Sequence, residues 1–253
     1  SVYNWRLEVW DRAIEGGIKD FGMGALFGLY DYKFEVIALL EHSNYLLNKY
    51  GVGPHTISVP RIEPAEGSDV SEHPPYAIND DQFKQIIAIL RLAVPYTGMI
   101  LTTRESTQMR RDALELGITQ LSAGSKTNPG GYSEENSTSQ FTMADSRTLD
   151  EMVKELSETG FIPSFCTSCY RLGRVGVDFM PFAREGSIHK FCDPNAISTF
   201  AEYLHDYASE ETKKAGFKAI EKHINENMNN DKIRVQINKT LEKINSGERD
   251  LYI

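Results

Sequence analysis

Length, composition and charge narrow the class of protein. The chain has 253 residues, 40% apolar and 25% charged, enough to bury one sizeable core with or without a small module. Its formal charge of −9 and pI of about 5.2 argue against a nucleic-acid surface, which needs clustered Lys and Arg. No apolar run approaches the roughly 18 residues of a membrane span, and the first residues lack signal-peptide features. These features predict a cytoplasmic protein that binds neither nucleic acid nor membrane.

The first half of the chain predicts strands that alternate with helices. In chain order, the predicted elements are a helix over 3–15, a strand over 18–24, a helix over 32–50, a strand over 55–60, a helix over 80–94, a strand over 97–103, a helix over 106–116 and a strand over 118–123. Four strand units fill only about half of the roughly 250 residues that a complete eight-fold barrel needs. The pattern therefore favours half of a (β/α) barrel.

The second half changes character after a loop rich in Ser, Thr, Asn, Gly and Gln, over 124–142. Asp145 and Ser146 are predicted to cap a helix. Its buried face has the spacing i, i+3, i+4, i+7, and is formed by Leu149, Met152, Val153 and Leu156. Further charged helices are predicted over 193–246. These patterns predict two domains, 1–140 and 141–253.

Three cysteines carry the clearest chemical signal. Cys166 and Cys169 are separated by two residues, and Cys192 follows after 22 more. An odd number of cysteines fits a disulfide framework poorly. Thiolates bind both zinc and iron–sulfur clusters, so the spacing leaves two metals open. His189 can complete a Cys3His zinc site, whereas three cysteines on a 4Fe–4S cluster leave one iron free.

A thioredoxin-like redox pair is a third alternative for the first two cysteines. Such a pair opens a helix after a strand. Here the glycines and arginines of the segment 171–176 follow instead. The redox pair is therefore the least favoured of the three.

Several segments resemble the radical-SAM lyases that act on tyrosine. The segment FCTSCYRLGR, at 165–174 with Cys192 at its distance, resembles the auxiliary-cluster motif of the FeFe-hydrogenase maturases in that family. Further matching segments are GMGALFGL at 22–29, ISVPRI at 57–62, TRES at 103–106, and SAGS through PGGY at 122–132. The resemblance covers essentially the whole chain. The cysteine triplet favours the maturases over the related tyrosine lyases of thiamine biosynthesis.

The resemblance implies the second half of a (β/α)8 TIM-type radical-SAM barrel, with a mainly helical C-terminal domain that binds a cluster. It implies cleavage of S-adenosylmethionine at a first 4Fe–4S cluster, and radical attack on tyrosine to give p-cresol and dehydroglycine. Dehydroglycine then yields carbon monoxide and cyanide for the iron unit of the hydrogenase. Implied partners are tyrosine, S-adenosylmethionine, free cysteine, the N-terminal half of the same enzyme and a downstream hydrogenase maturation scaffold.

The resemblance also assigns an auxiliary 4Fe–4S cluster with an additional labile iron. Its cluster ligands are Cys166, Cys169 and Cys192, and His42 is expected to hold the labile iron. His42 also lies on an apolar helix stripe, where a histidine is more often a core residue, and His73 and His189 are alternatives. The CxxxCxxC motif for the SAM-cleaving cluster is absent from these 253 residues, so that cluster and S-adenosylmethionine are expected mainly on the N-terminal half.

For the substrate, the resemblance assigns Arg104 and Ser122 to the carboxylate of tyrosine. Each follows a predicted strand, and active sites collect at the carboxyl ends of barrel strands. An ion pair of Arg104 with Glu105 or Asp112 is the structural alternative, and Ser122 can instead cap local backbone. At the level of function, the alternatives are a zinc-stabilised α/β binding module and the 2-iminoacetate synthase of the thiamine pathway.

Overall fold

A computed structural model describes residues 2–128, 130–132, 141, 143–228 and 230–252. The chain divides into two compact units. The first comprises Ser1–Ser146 and Val175–Arg184, and the second comprises Arg147–Arg174 and Glu185–Ile253. No helix in the described ranges is both long enough and apolar enough to cross a membrane.

A parallel sheet organises the first unit. In the described part of the chain its strands are β1 (Gly22–Gly24), β2 (Thr56–Ser58), β3 (Gly98–Leu101) and β4 (Gln120–Leu121), in the order β1-β2-β3-β4. The helices that accompany them are α1 (Val2–Leu7), α2 (Val9–Glu15), α3 (Tyr32–Tyr50), α4 (Asp69–Glu72), α5 (Asp80–Ala93) and α6 (Thr107–Glu115). Neighbouring parallel strands joined in sequence order through helices are the repeating unit of a barrel wall.

The core of the first unit lies between the sheet and its helices. Helix α5 begins in a capping box between Asn79 and Gln82, which satisfies two backbone N–H groups. Its buried residues recur at helical spacing and are Phe83, Ile86, Ile87 and Leu90. They pack in one cluster with Ile57 of β2 and Met99 of β3. The amphipathic helix therefore fixes one face of the sheet.

Close packing of strands β1 and β2 explains two of the glycines in the segment GMGALFGL at 22–29. A Cβ on Gly24 would lie 2.5 Å from the carbonyl oxygen of Ser58, and one on Gly22 would lie 2.4 Å from the hydroxyl of Thr56. At Gly24 no side chain larger than hydrogen fits without moving the backbone of β2, whereas at Gly22 the side chain of Thr56 would have to rotate. These two glycines serve the pairing of β1 with β2.

The second unit is helical in its described residues. Its helices are α7 (Leu149–Glu158), α8 (Ser168–Arg171), α10 (His189–Asp206), α11 (Glu210–Asn227) and α12 (Asp231–Asn245). The fully buried Phe200, Ile220 and Ile237 connect α10, α11 and α12 in one apolar cluster. The prediction of a parallel half-barrel followed by a mainly helical region is confirmed.

Two boundaries differ from the sequence prediction. The cap predicted at Asp145 and Ser146 is wrong, because Thr148 caps α7 in a capping box with Glu151. Asp145 is instead buried and pairs with Arg110 at 2.6 Å. Helix α10 begins at His189 rather than at residue 193, so Cys192 lies within its first turn.

The segment Val175–Arg184 returns to the first unit. It contains a 3-10 turn over Gly176–Asp178 and helix α9 (Met180–Arg184). Phe179 packs on His55 with ring centroids 4.9 Å apart, and Met180 is buried with Leu46 and other apolar residues of this unit. The domain assignment 1–140 and 141–253 stays a prediction.

Candidate functional site

The cysteine segment of the second unit is shaped by local hydrogen bonds. The sulfur of Cys166 accepts from the backbone N–H of Ser168 at 3.4 Å and lies 3.2 Å from its hydroxyl. Cys169 sits inside the single-turn helix α8, and its carbonyl accepts from the N–H of Arg174 at 2.9 Å. Cys166, Cys169 and Cys192 are free thiols. Cys166 thus lies just before the short helix α8, and Cys169 lies within it. Among the described residues, no strand leads directly into this helix.

The three thiols share one electrostatic environment. Although Cys192 is exposed as a residue, protein atoms crowd its sulfur and raise the pKa of its thiol to about 11. Negative charge on Cys169 and Cys166 raises this pKa further, while Arg174 opposes the rise. Charges shift a pKa in this way only when the groups lie close together, so the three thiols are neighbours. Three ionised thiols here therefore require a positive partner.

Arg174 is the cation whose charge acts to lower the pKa of the Cys192 thiol. The guanidinium carbon lies 4.6 Å from the centre of the Phe191 ring. Its Nε and Nη2 atoms are buried and have no hydrogen-bond partner in the described residues. Buried guanidinium nitrogens without an acceptor are costly, so Nε and Nη2 fit an anionic group at the cysteines.

Histidine and carboxylate side chains do not complete the set. Within the described ranges, no three His, Cys, Asp or Glu side chains are arranged to hold a single metal ion, and this includes Cys166, Cys169 and Cys192 themselves. The side chain of His189 is 74% exposed and lies 3.8 Å from Asp193, so the Cys3His arrangement is not assembled. By their chemistry, three soft thiolates suit an iron–sulfur cluster, and the nearby cation of Arg174 would offset the negative charge of such a cluster.

A second candidate site lies at the carboxyl ends of β3 and β4 in the first unit. Arg104 lies three residues beyond β3, and Ser122 directly follows β4. The strands are parallel neighbours, with Leu101 opposite Leu121, so both residues follow the same edge of the sheet. The guanidinium of Arg104 lies 4.3 Å from the ring centre of Phe141 and donates to the carbonyl of Arg61 at 3.4 Å.

The ion pair considered for Arg104 is not formed among the described residues. Glu105, which is 2% exposed, instead accepts from Arg61, whose Nε lies 2.9 Å away. Asp112 pairs with Lys84 at 2.5 Å. Burial and the charge of Glu105 raise the pKa of Glu63 nearby, while Arg61 and Arg104 lower it. Arg104 therefore keeps a guanidinium that no carboxylate of the described residues occupies.

Sequence reasoning missed the groups that support this edge. Arg110 is 1% exposed, pairs with Asp145, and donates to the carbonyl of Ser122. It thereby holds the backbone on which Ser122 sits. No local sequence pattern predicts a pair of residues that are 35 positions apart. A lone arginine on an otherwise apolar helix face is a weak indication that the arginine has a buried partner.

His42 lies in the middle of α3, half-buried, with its ring 6.3 Å from that of Tyr45. Burial lowers the pKa of His42, and the charge of Asp11 opposes the shift. The neutral imidazole is the form that binds metals. The assignment of His42 to a labile iron stays a prediction, as do those of Arg104, Ser122 and the three cysteines.

Comparisons with known proteins agree with this architecture. The model of the Biotin and Thiamin Synthesis associated domain matches residues 58–162. The chain is 34% identical over 161 residues to a 2-iminoacetate synthase of Salmonella typhimurium and 34% identical over 173 residues to that of Escherichia coli. These matches cover 63% and 68% of this chain, and 42% and 45% of the relatives.

Two solved structures are similar over nearly the whole chain. A HydG described as a maturase of the [FeFe]-hydrogenase has 50% identity and a TM-score of 0.94, with 99% of this chain and 54% of that chain covered. HydG from Carboxydothermus hydrogenoformans has 42% identity and a TM-score of 0.76, with 94% and 51% covered. The chain thus spans about half the length of the relatives that it matches.

The parallel half-barrel and the helical unit give this chain the fold of part of a radical-SAM barrel protein. Within that fold, the chain is similar in sequence and structure to about half of two HydG proteins, which are maturases of the [FeFe]-hydrogenase.

Proposed function

We propose that this chain is the cluster-binding and substrate-binding half of a radical-SAM tyrosine lyase that supplies carbon monoxide and cyanide for FeFe-hydrogenase maturation. The observation that carries the proposal is the set of three thiols beside the unpaired Arg174, in a chain 50% identical to a HydG over 99% of its length. Auxiliary-cluster binding by Cys166, Cys169 and Cys192 belongs to this proposal.

Substrate recognition is proposed at the carboxyl ends of β3 and β4. The guanidinium of Arg104 can donate two parallel hydrogen bonds to the carboxylate of tyrosine, and the hydroxyl of Ser122 can donate one more. Arg61 is held by Glu105 and Asp80, so it contributes structure rather than a free donor. Positioning of tyrosine is the role of this chain's own residues in the cleavage.

S-adenosylmethionine and the 4Fe–4S cluster that cleaves it are proposed to be bound mainly by the other half of the full-length protein. When bound, S-adenosylmethionine and the two 4Fe–4S clusters supply radical generation and, at the auxiliary cluster with its labile iron, a place to assemble the iron carbonyl–cyanide unit. Free cysteine and a downstream maturation scaffold complete the proposed partners. His42 is the proposed protein ligand of the labile iron.

A second candidate function is 2-iminoacetate synthesis, which two relatives with 34% identity carry by name. That reaction would release p-cresol and dehydroglycine without carbon monoxide. The cysteine triplet favours the maturase, because the thiamine-pathway enzyme is not expected to use an auxiliary cluster.

The deciding experiment uses the full-length protein with S-adenosylmethionine, tyrosine, a strong reductant and deoxyhaemoglobin. We expect p-cresol by chromatography and carbonmonoxyhaemoglobin by absorption in the same reaction. Release of p-cresol without carbon monoxide would favour the synthase. A colourless protein with bound zinc and no tyrosine cleavage would favour a zinc-stabilised module.

A further inference from the structure

Arg174 stands out among the arginines of the second unit by what its guanidinium lacks. Its flat face stacks on Phe191, the residue directly before Cys192. Two of its nitrogens, Nε and Nη2, are buried without a partner in the part of the chain that the structure describes. The planar face of the Arg174 guanidinium is therefore packed against a ring, while two of its hydrogen-bond donors are removed from water and have no acceptor.

Packing alone does not account for this arrangement. Stacking on an aromatic ring contributes about 0.5–2 kcal/mol, while a desolvated charged donor without an acceptor costs at least as much. Arg171, in the same segment, satisfies its guanidinium in the usual way, because it forms an exposed ion pair with Asp250. Arg174 is instead tied to the cysteines, because its N–H donates to the carbonyl of Cys169 at 2.9 Å.

We propose that Arg174 is a positioning residue for the auxiliary cluster, and that its Nε–H and Nη2–H donate hydrogen bonds to anionic sulfur of the cluster held by Cys166, Cys169 and Cys192. The inference rests on the proposed function, since it requires that cluster. It adds a specific protein group that sets the reduction potential.

The physical consequence is a dependence of the potential on Arg174. Reduction adds a negative charge to the cluster, and a nearby, partly buried cation stabilises the more negative state. Hydrogen bonds to sulfur act in the same direction. Removing the guanidinium should therefore shift the reduction potential of the cluster to a more negative value. Replacing Arg174 with Lys keeps the positive charge and should give a smaller shift.

The test is an anaerobic redox titration of the reconstituted, purified protein, followed by EPR of the auxiliary cluster, in the wild type and in R174Q, R174K and R171Q. In R174Q we expect a shift equivalent to a tenfold or larger change in the reduction equilibrium, 59 mV for one electron. R174K should fall between R174Q and wild type, and R171Q should match wild type.

The outcomes separate the two proposals. A wild-type protein that forms no cluster would overturn the proposed function. A cluster that forms with the same potential in R174Q and wild type would overturn the role of Arg174 alone. If R174Q fails to fold, R174K decides, because an unchanged potential in R174K together with an unchanged EPR line shape contradicts donation from both guanidinium nitrogens.

Discussion

At the scale of single residues, Arg104 differs from the other arginines near the strand ends in what its guanidinium contacts. Arg61 is bound by Glu105 and Asp80, and Arg110 by Asp145. Within the described residues, the guanidinium of Arg104 contacts a ring face and a carbonyl oxygen and forms no ion pair. An incoming carboxylate can therefore bind it without displacing a carboxylate of the described residues.

Replacing Arg104 with Gln in the full-length protein should lower kcat/KM for tyrosine about 10- to 100-fold, because hydrogen bonds to charged groups are worth about 1.5–3 kcal/mol. The rate of p-cresol formation against tyrosine concentration measures this effect. R111Q, at an exposed position of α6, is the matched control. Equal values of kcat/KM in R104Q and R111Q would contradict carboxylate binding by Arg104.

Asp11 is a second informative residue, and its role is stability. It is 7% exposed and accepts from Tyr45 at 2.7 Å, Lys49 at 2.7 Å and Tyr50 at 2.8 Å. Although burial acts to raise the pKa of Asp11, these donors outweigh it and lower the pKa to about 2 from 3.8. The folded state therefore prefers the ionised carboxylate.

Because the folded pKa is depressed, the stabilisation by Asp11 is complete above pH 3.8 and is lost as the pH falls toward about 2. D11N should lower the free energy of unfolding by about 2 kcal/mol at neutral pH. It should also flatten the loss of stability between these pH values. Urea unfolding at several pH values measures both. D81N, at an exposed position of α5, should behave like the wild type, and the same acid sensitivity in D11N and wild type would contradict the assignment.

At the scale of secondary-structure elements, Asp150 of α7 accepts hydrogen bonds from the N-terminus of the neighbouring helix α11, whose N-cap is Ser209. Its carboxylate accepts from the N–H of Ser209 at 3.1 Å and from the hydroxyls of Ser209 at 2.7 Å and Thr212 at 2.9 Å. A carboxylate at a helix N-terminus also meets the positive end of the helix dipole. One side chain thus joins two helices of the second unit.

D150A should lower the free energy of unfolding by about 1–2 kcal/mol through the loss of these charge-assisted bonds. Hydrogen exchange at the first turn of α11 should accelerate more than exchange elsewhere. E158Q, at the exposed far end of α7, provides the control. Uniform exchange rates across the second unit in D150A would contradict this role of Asp150.

Element boundaries show what sequence patterns can and cannot predict. The helix over Tyr32–Tyr50 was predictable to the residue, because an apolar stripe ends at Gly51, whose φ of 72° suits glycine. The cap of α7 was not, since Asp145 has the right residue type but is drawn into a pair with Arg110. Strand ends were overestimated, because an apolar run continues beyond the residues that pair.

At the scale of the whole molecule, alternating strands and helices sufficed to predict the parallel half-barrel and the helical unit. Residue roles required the resemblance to a family, since spacing alone left zinc and iron–sulfur open. Neither the sequence patterns nor the resemblance to a family predicted the buried ion pairs beside the carboxyl ends of the strands. The pairs Arg61–Glu105 and Arg110–Asp145 join residues 44 and 35 positions apart, and only the folded chain brings them together.

The central claim is that Cys166, Cys169 and Cys192 hold one iron–sulfur cluster. Its most direct test is anaerobic reconstitution of the purified protein with iron and sulfide, followed by metal analysis and EPR, with C166S, C169S and C192S in parallel. In the full-length protein, the account predicts two 4Fe–4S clusters in the wild type and one in each variant. Equal iron and sulfide in wild type and variants, or zinc bound at these cysteines, would contradict it.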